Sequence, residues 1–339
     1  MSLWHEISIV EIQGGDTMDI PLVTTNKRSE VAFKSCPLLL AVWPGFGNVG
    51  LVAGDYIRRK LDSKQLGAID LNQLSVPQSS VVENGRIVPV KIPESTLHYT
   101  VSPDLIIYQS GAQLNETKQM LVLQTLIDIA KNYGVKQIVT VCAVPVPMSH
   151  GQPNQLFYAA NSEELSGKLE KMGVKPLSAG EIAGPAGVLP ALAKETGIEA
   201  ACLMVTMPAY AGGTTYPKAA IPLVSCLAQM EQFRIDLTEI RRLSESLDEQ
   251  FREIENRINE KIADIVPNTT FEQEYQYEQV LEQPDKKDED GLDPLVQAKL
   301  DGLFEQVKKE RSKASELKKE LDRLGLFKKY ENRFLDLFI

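Results

Sequence analysis

Four short stretches of this 339-residue sequence hold residue types that could do chemistry. Gly45, Gly47 and Gly50 sit in Trp43-Pro44-Gly45-Phe46-Gly47-Asn48-Val49-Gly50, directly after an apolar run. In a dinucleotide site such glycines allow a tight turn and let a pyrophosphate approach a helix N-terminus. Asp70 stands at about the spacing from which an acid reaches a ribose. The same glycines, with Phe46 and Asn48, equally make a plain strand-to-helix turn that faces a pocket or a subunit contact. Ser110-Gly111-Ala112-Gln113 offers a hydroxyl and backbone amides ahead of a helix, and a simple helix cap is its structural alternative. His150 follows an apolar run and has the chemistry of an acid or base, yet no orienting carboxylate is evident beside it. Glu181 precedes Gly184-Pro185-Ala186-Gly187, where a carboxylate serves as a cap or interface group more readily than as a general base.

For these residues to act together, the fold must bring them to one edge. Residues 38–43 form a continuous apolar run closed by Pro-Gly, the pattern of a central parallel strand buried on both faces. The pattern then predicts a helix over 49–61, a hairpin turning at Asn84-Gly85, a strand over 104–108, an amphipathic helix over 115–133 and a buried strand over 137–144. Ser162 caps a predicted helix that Gly173 stops. A helix over 185–195, a strand over 200–207 and a helix over 216–230 complete the alternation. Strands separated by helices of this length indicate an α/β domain with a largely parallel sheet, and the inserted hairpin argues against a pure doubly wound order. The loops after the strands at 38–43, 104–108 and 137–144 then share the carboxyl edge, where open α/β sheets place ligands.

Composition narrows the function classes. The net charge is -10, and it is unevenly placed: residues 1–230 carry 17 Lys/Arg against 19 Asp/Glu, while residues 231–339 carry 19 against 27. An acidic chain without a basic stripe is repelled by phosphates, so nucleic acid and anionic membranes are not expected partners. No run approaches the roughly 18 apolar residues of a membrane span, and the N-terminus lacks the basic flank and apolar stretch of a secretion signal, so a cytoplasmic address is expected. His5, His98 and His150 have no metal-ligand spacing, and Cys36, Cys142, Cys202 and Cys226 read as small buried hydrophobes rather than a zinc or disulfide pattern. No metal and no cofactor is expected. Neither a nucleophile elbow nor a phosphate loop with its lysine is present.

The predicted organisation is an N-terminal segment over 1–35, the α/β domain over 36–230, a long amphipathic helix over 231–266, an acidic linker over 267–291 and a C-terminal helical segment over 292–339. In the long helix Phe233, Leu237, Ile240, Leu243, Leu247, Phe251, Ile254, Ile258 and Ile262 step by three or four. Such a narrow seam is a packing or coiled-coil surface, and it predicts a homo-oligomer.

The order Gly45-Phe46-Gly47-Asn48-Val49-Gly50, then Ser110-Gly111-Ala112-Gln113, then Gly184-Pro185-Ala186-Gly187-Val188-Leu189, then Tyr216-Pro217-Lys218-Ala219-Ala220 resembles the proteasome assembly chaperone family in its archaeal and bacterial branch. The likeness covers about residues 36–262. It implies a three-layer α/β fold similar to nucleoside phosphorylases and related hydrolases, and a non-catalytic scaffold acting through protein contacts. It also implies proteasome subunits as partners where the source has them. Proteins that bind the proteasome commonly end in a hydrophobic residue, a tyrosine or similar aromatic, and any residue; Leu337-Phe338-Ile339 resembles that ending with phenylalanine in the aromatic place. On this reading Gly45, Phe46, Gly47, Asn48, Ser110, Gly111, Gln113 and the last three residues are contact residues for a ligand or partner. The competing expectation is a hydrolase or phosphorylase-like enzyme using His150, Ser110 and Glu181 at the sheet edge; a third is a nucleotide-binding protein built on Gly45 and Asp70.

Overall fold

The computed structural model describes residues 8–9, 22–24, 31–69, 81–88, 95–112, 114, 116–265, 304, 307, 314–323, 326–327, 330, 333–334 and 337. The chain forms two compact units, Met1–Gln283 and Pro284–Ile339.

In the first unit the described elements are β1 (Ser8–Ile9), β2 (Leu22–Thr24), β3 (Leu38–Val42), α1 (Val49–Lys60), β4 (Lys64–Ile69), β5 (Val81–Glu83), β6 (Arg86–Val88), β7 (Ser95–Val101), β8 (Asp104–Gln109) and α2 (Glu116–Tyr133). They continue with β9 (Gln137–Val146), β10 (Leu156–Ala160), α3 (Glu163–Lys171), β11 (Lys175–Pro176), α4 (Pro185–Glu195), β12 (Glu199–Pro208), α5 (Pro217–Met230) and α6 (Thr238–Ile265). One sheet runs β1-β2-β4-β7-β8-β3-β9-β12-β10-β11. Its centre is parallel, β8 to β3 to β9 to β12, and β7 and β10 flank that centre antiparallel. The expected α/β fold with a largely parallel core is therefore present, in three layers. One face of the sheet packs on α1, α3, α5 and α6, with Leu40, Val42, Ile57, Leu165, Leu203 and Leu223 in its core. The other packs on α2 and α4, with Leu39, Ile106, Leu126 and Leu189. There Trp43, almost wholly buried, meets Tyr108 edge-on, ring centroids 5.6 Å apart.

Local chemistry explains the element ends. Ser162 has an extended backbone and its hydroxyl accepts from the Leu165 amide, 3.2 Å, while Glu163 and Glu164 occupy the positive end of α3. Asn84 and Gly85 both have positive φ, 50° and 75°, as a two-residue hairpin turn of primed type requires. The β5–β6 hairpin they close is a separate two-stranded sheet whose opposed Val82 and Ile87 are exposed. Cys36 is also exposed, which corrects its expected burial.

At the amino end of β12, Glu199 accepts from the Ser162 hydroxyl at 2.7 Å and the Gln137 amide at 2.8 Å. Burial works against its charge, but these donors, with Lys136 and Lys168 nearby, hold the carboxyl below its ordinary range. Its stabilisation is then complete above the unfolded-state value of about 4.3 and fades as pH falls through the lower folded-state value. Glu199→Gln is expected to lower stability at pH 7 by less than about 1 kcal/mol, because the carboxylate is largely solvated. Urea midpoints should show the gap to the parent chain closing below about pH 4; a gap that stays constant from pH 7 to pH 3 would remove this role.

The long amphipathic helix packs on the α/β core. Ile240 and Phe251 are buried in the same core as α1 and α5, and Phe233, Leu237, Leu247 and Ile254 pack against it. Leu243 is left about half exposed. The N-terminal end of α6 is tied to α1 by Arg59 and Lys60, each 2.8 Å from Glu239.

In the second unit α7 (Ala314–Arg323) contributes Leu317 and Leu321 to a small core with Phe304, Val307, Tyr330 and Phe334. Arg333 lies over the Phe304 ring at 4.2 Å and Lys318 over Phe327 at 5.3 Å. Leu337 packs partly against this core; Phe338 and Ile339 lie outside the described residues.

Candidate functional site

The connection from β3 to α1 is shaped by backbone geometry rather than by a ligand. Gly47 (φ 60°) and Asn48 (φ 48°) are consecutive left-handed residues, the conformation in which a side chain is strained. A Cβ on Gly47 would also stand 2.9 Å from Met207 Cε and 3.0 Å from Tyr216 Cβ. The Gly47 amide donates to the Gly212 carbonyl at 3.1 Å, and the Tyr216 amide donates to the Gly47 carbonyl at 2.8 Å. The Asn48 amide turns back to the Gly45 carbonyl at 2.9 Å. The Gly47 and Asn48 amides are thus donated within the protein, and Asp70 lies outside the described residues. Gly50 serves helix packing, its missing Cβ leaving room for Val141 Cγ2 at 3.1 Å. Phe46, carried on this stapled turn, is 55% exposed.

Ser110 follows β8. Its amide donates to the Val42 carbonyl at 2.9 Å, its hydroxyl donates to the Ala112 carbonyl at 2.8 Å, and the residue is buried. The Gly111 amide donates to the Ser95 hydroxyl at 3.2 Å. The Tyr108 hydroxyl is buried beside Ser95 and Ser110, and burial keeps its proton on although those two hydroxyls work the other way. Ser110 therefore closes the β8–α2 turn. Gln113 lies outside the described residues.

His150 is the centre of the densest polar cluster on this edge. Its ring is buried, with Nε2 2.7 Å from Asp248 Oδ1 and Nδ1 3.2 Å from the Tyr216 hydroxyl. The Phe251 ring stacks on it at 5.3 Å and 24°. The His150 amide donates to Glu255 Oε2 and to the Tyr210 hydroxyl, both at 3.1 Å. The Tyr210 hydroxyl donates to Glu255 Oε2 at 3.0 Å, and Lys218 Nζ donates to the His150 carbonyl. Burial raises the Tyr210 phenol, and Glu255 raises it further; burial raises Tyr216, with Asp248 and Glu255 adding to it. Both stay protonated donors. Asp248 Oδ1 can only accept, so the imidazole presents an N–H on Nε2 to it, and the Tyr216 hydroxyl is the hydrogen-bond partner of Nδ1. Burial lowers Lys218, and Asp248 and Glu255 partly restore it.

This arrangement supplies the orienting carboxylate that the sequence concealed. Both ring nitrogens of His150 are engaged, and the hydroxyl on its far side belongs to the fully buried Tyr216. Ser110 has its own partners and follows β8, which β3 separates from β9 in the sheet. Glu181 is exposed in the loop before α4. The structure does not bring His150, Ser110 and Glu181 together as a catalytic set. It does bring Gly47 to His150, through Tyr216, whose backbone holds one and whose hydroxyl holds the other. Among the described residues no cluster of three or more His, Cys, Asp or Glu is placed to hold a metal.

The profile of the PAC2 family matches residues 39–261, from β3 into the last turns of α6. The chain belongs to the PAC2 family. The match includes α6, so the helix that closes on His150 lies within the PAC2 region. Among solved structures, PbaB of Pyrococcus furiosus, described as an archaeal proteasome activator, is 20% identical, with TM-score 0.59 over 70% of this chain and 100% of its own. PbaA of the same organism, described as an archaeal homolog of proteasome-assembly chaperone, is 21% identical with TM-score 0.55 over 69% of this chain and 94% of its own. At such identity the likeness shows the PAC2 fold. A curated relative, the uncharacterized protein MJ0106 of Methanocaldococcus jannaschii, is 21% identical over 228 residues, 67% of this chain and 89% of that protein.

Proposed function

We propose that this PAC2 protein is a non-catalytic scaffold of the assembly-chaperone kind, working in the cytoplasm through protein contacts and through self-association into a homo-oligomer. The observation that carries this reading is the state of His150: this histidine, after β9, is buried, stacked and hydrogen-bonded at both ring nitrogens, so we read the edge as a built surface rather than a reaction site. The relatives described as a proteasome activator and as a homolog of a proteasome-assembly chaperone support protein clients of that type where the source has a proteasome. On this reading the exposed Gly45, Phe46 and Asn48, on the turn that Gly47 closes, are the contact ridge; Ser110, Gly111 and Gln113 are further contact residues, and Leu337, Phe338 and Ile339 are the docking tail. No helix among the described residues is long and apolar enough to cross a membrane.

Affinity capture from the native lysate tests this directly, using the full chain, a chain lacking residues 337–339, and Phe46→Ala. Removing an exposed ring leaves stability within about 0.5 kcal/mol, so loss of partner reads as loss of contact. Mass spectrometry is expected to find proteasome subunits with the full chain and severalfold less with either variant. Equal recovery of those subunits by all three proteins removes the tail and Phe46 from the interface, and their absence from the full-chain sample in a cell that makes proteasomes overturns the client assignment.

A further inference from the structure

We propose that Cys142, Cys202 and Met204 form a three-sulfur site for Cu(I) on the face of the sheet that carries α4. The site is separate from the His150 cluster and stands whether or not the scaffold reading above does.

The register of two parallel strands builds it. β9 and β12 pair with Cys142 beside Met204 and with Thr140 beside Cys202. Alternate residues of a strand share a face, so Cys202 and Met204 project to one side of β12, and Cys142 stands level with Met204 on that same side. Packing agrees: Cys202 and Met204 share a small buried cluster with Phe157 and Ala186, and Cys142 packs against it. The two thiol sulfurs, 60 positions apart in sequence, are 3.8 Å apart. Cys202 is 1% exposed and Met204 3%, whereas Cys142 is only partly buried and marks the side from which an ion enters.

Geometry selects what the pair can hold. Strands about 4.8 Å apart with a rise of about 3.3 Å per residue place these diagonal neighbours roughly 8 Å apart at Cα, beyond the roughly 6.8 Å that a disulfide spans. A disulfide would therefore need the central sheet to move. A bridging ion does not: on the scale of a zinc–thiolate bond, about 2.3 Å, two metal–sulfur bonds meeting across the 3.8 Å gap subtend roughly 110°. That angle suits three or four ligands, with Met204 in the third place. Thiolate and thioether together are the donor set that selects Cu(I). Zinc takes Cys, His and carboxylate, and among the described residues no His, Asp or Glu joins the two cysteines. The apolar cover suits a soft cation too, since Leu177 and Ile182 pack on the cluster and keep water from competing. Binding changes no oxidation state; Cu(I) replaces thiol protons, which leave to solvent.

The test uses the full chain carrying Cys36→Ser, which removes the exposed thiol, under anaerobic conditions. Cu(I) is supplied as its acetonitrile complex in competition with a chromogenic Cu(I) chelator. One Cu(I) per chain is expected, with sulfur as its only near neighbour in X-ray absorption. Cys142→Ala is expected to weaken binding by more than about a hundredfold, since losing a ligand costs more than the roughly 10- to 100-fold of losing a hydrogen-bond partner behind one. Met204→Leu, which keeps the side-chain volume, is expected to weaken it by at least about tenfold. Cu(I) should also raise the thermal midpoint of the parent, because an ion bound only to the folded chain stabilises it, and leave that of Cys142→Ala unchanged. Circular dichroism accompanies each variant, and Cys142→Ser takes over if the alanine protein is unfolded. A parent that binds no Cu(I), or a Cys142→Ala protein that holds it as tightly as the parent, overturns the site. So do nitrogen or oxygen neighbours of the bound ion, or Zn(II) binding as tightly as Cu(I). Unchanged affinity in Met204→Leu removes the thioether and with it the three-sulfur site.

Discussion

Gly187→Ala is expected to destabilise the protein by about 3 kcal/mol, at the upper end of what overpacking costs. Gly187 lies in the first turn of α4, and a Cβ built on it would stand 2.0 Å from the Ile182 carbonyl oxygen and 2.8 Å from its carbonyl carbon. Those are backbone atoms of the loop that leads into the helix, so no rotamer change relieves the contact and either the loop or α4 must move. Movement of α4 disturbs Leu189 and Ala193, both fully buried, and the Thr140 hydroxyl, which donates to the Ala186 carbonyl at 2.6 Å. The comparison is Gly167→Ala in α3, where nothing lies within 4 Å of the added methyl and helix propensity predicts a gain of roughly 0.5 to 1 kcal/mol. Urea denaturation with unchanged slope reads both. A Gly187→Ala protein as stable as its parent would mean that the Ile182 loop yields freely and that the close approach has no structural purpose.

Phe251→Ala should cost about 3 to 4 kcal/mol, the ordinary loss for a buried phenylalanine, but chiefly where α6 sits. The ring is 4% exposed and contacts both His150 and Tyr216. Deleting it leaves the carboxylates of Asp248 and Glu255 to hold the helix in a wetter site, where they hold less. Hydrogen exchange should then show amides of 238–265 losing protection by several powers of ten while those of β9 and β12, at the centre of the sheet, keep theirs. Uniform loss over both regions would show that α6 folds with the sheet as one unit, and a change below about 1 kcal/mol would show that the stack carries little of the attachment.

The residues that revealed themselves in the sequence are those whose pattern is set by burial on both sides. β3, β9 and β12 are largely apolar because both their faces are covered, and the helices between them follow from their periodicity. β7 was not predicted: it alternates Leu97 and Tyr99 toward α2 with Thr96, His98 and Thr100 toward the other face, and a half-polar strand of that kind has no continuous apolar run. β4 includes Gly67 and Ala68, weak strand formers, and shifts register between Gln65 and Gly67; it is a strand because β2 and β7 pair with it on either side. β10 was likewise passed over between the His150 loop and the Ser162 cap. At the site, His150 is legible from its place after a buried strand, and Tyr216 and Lys218 lie in a motif that the sequence singles out without a role. Asp248 and Glu255 were not found, because on a helix so rich in charge each acid reads as solvated. The available signal was position: both adjoin the seam residues Leu247, Phe251 and Ile254, so they flank the buried face rather than oppose it.

The setting of Trp43 decides what an optical experiment on this protein sees. Its indole stacks edge-on with Tyr108 in the layer beneath α2, whereas α6 covers the opposite face of the sheet. The chain has two tryptophans, and in a Trp4→Phe background the emission spectrum therefore reports the α2 layer alone. Detachment and melting of the long helix would pass without a change in emission while the far-ultraviolet ellipticity fell by the content of nearly eight helical turns. Disagreement between the two signals in a melting curve is then the optical signature of an undocked helix on an intact sheet.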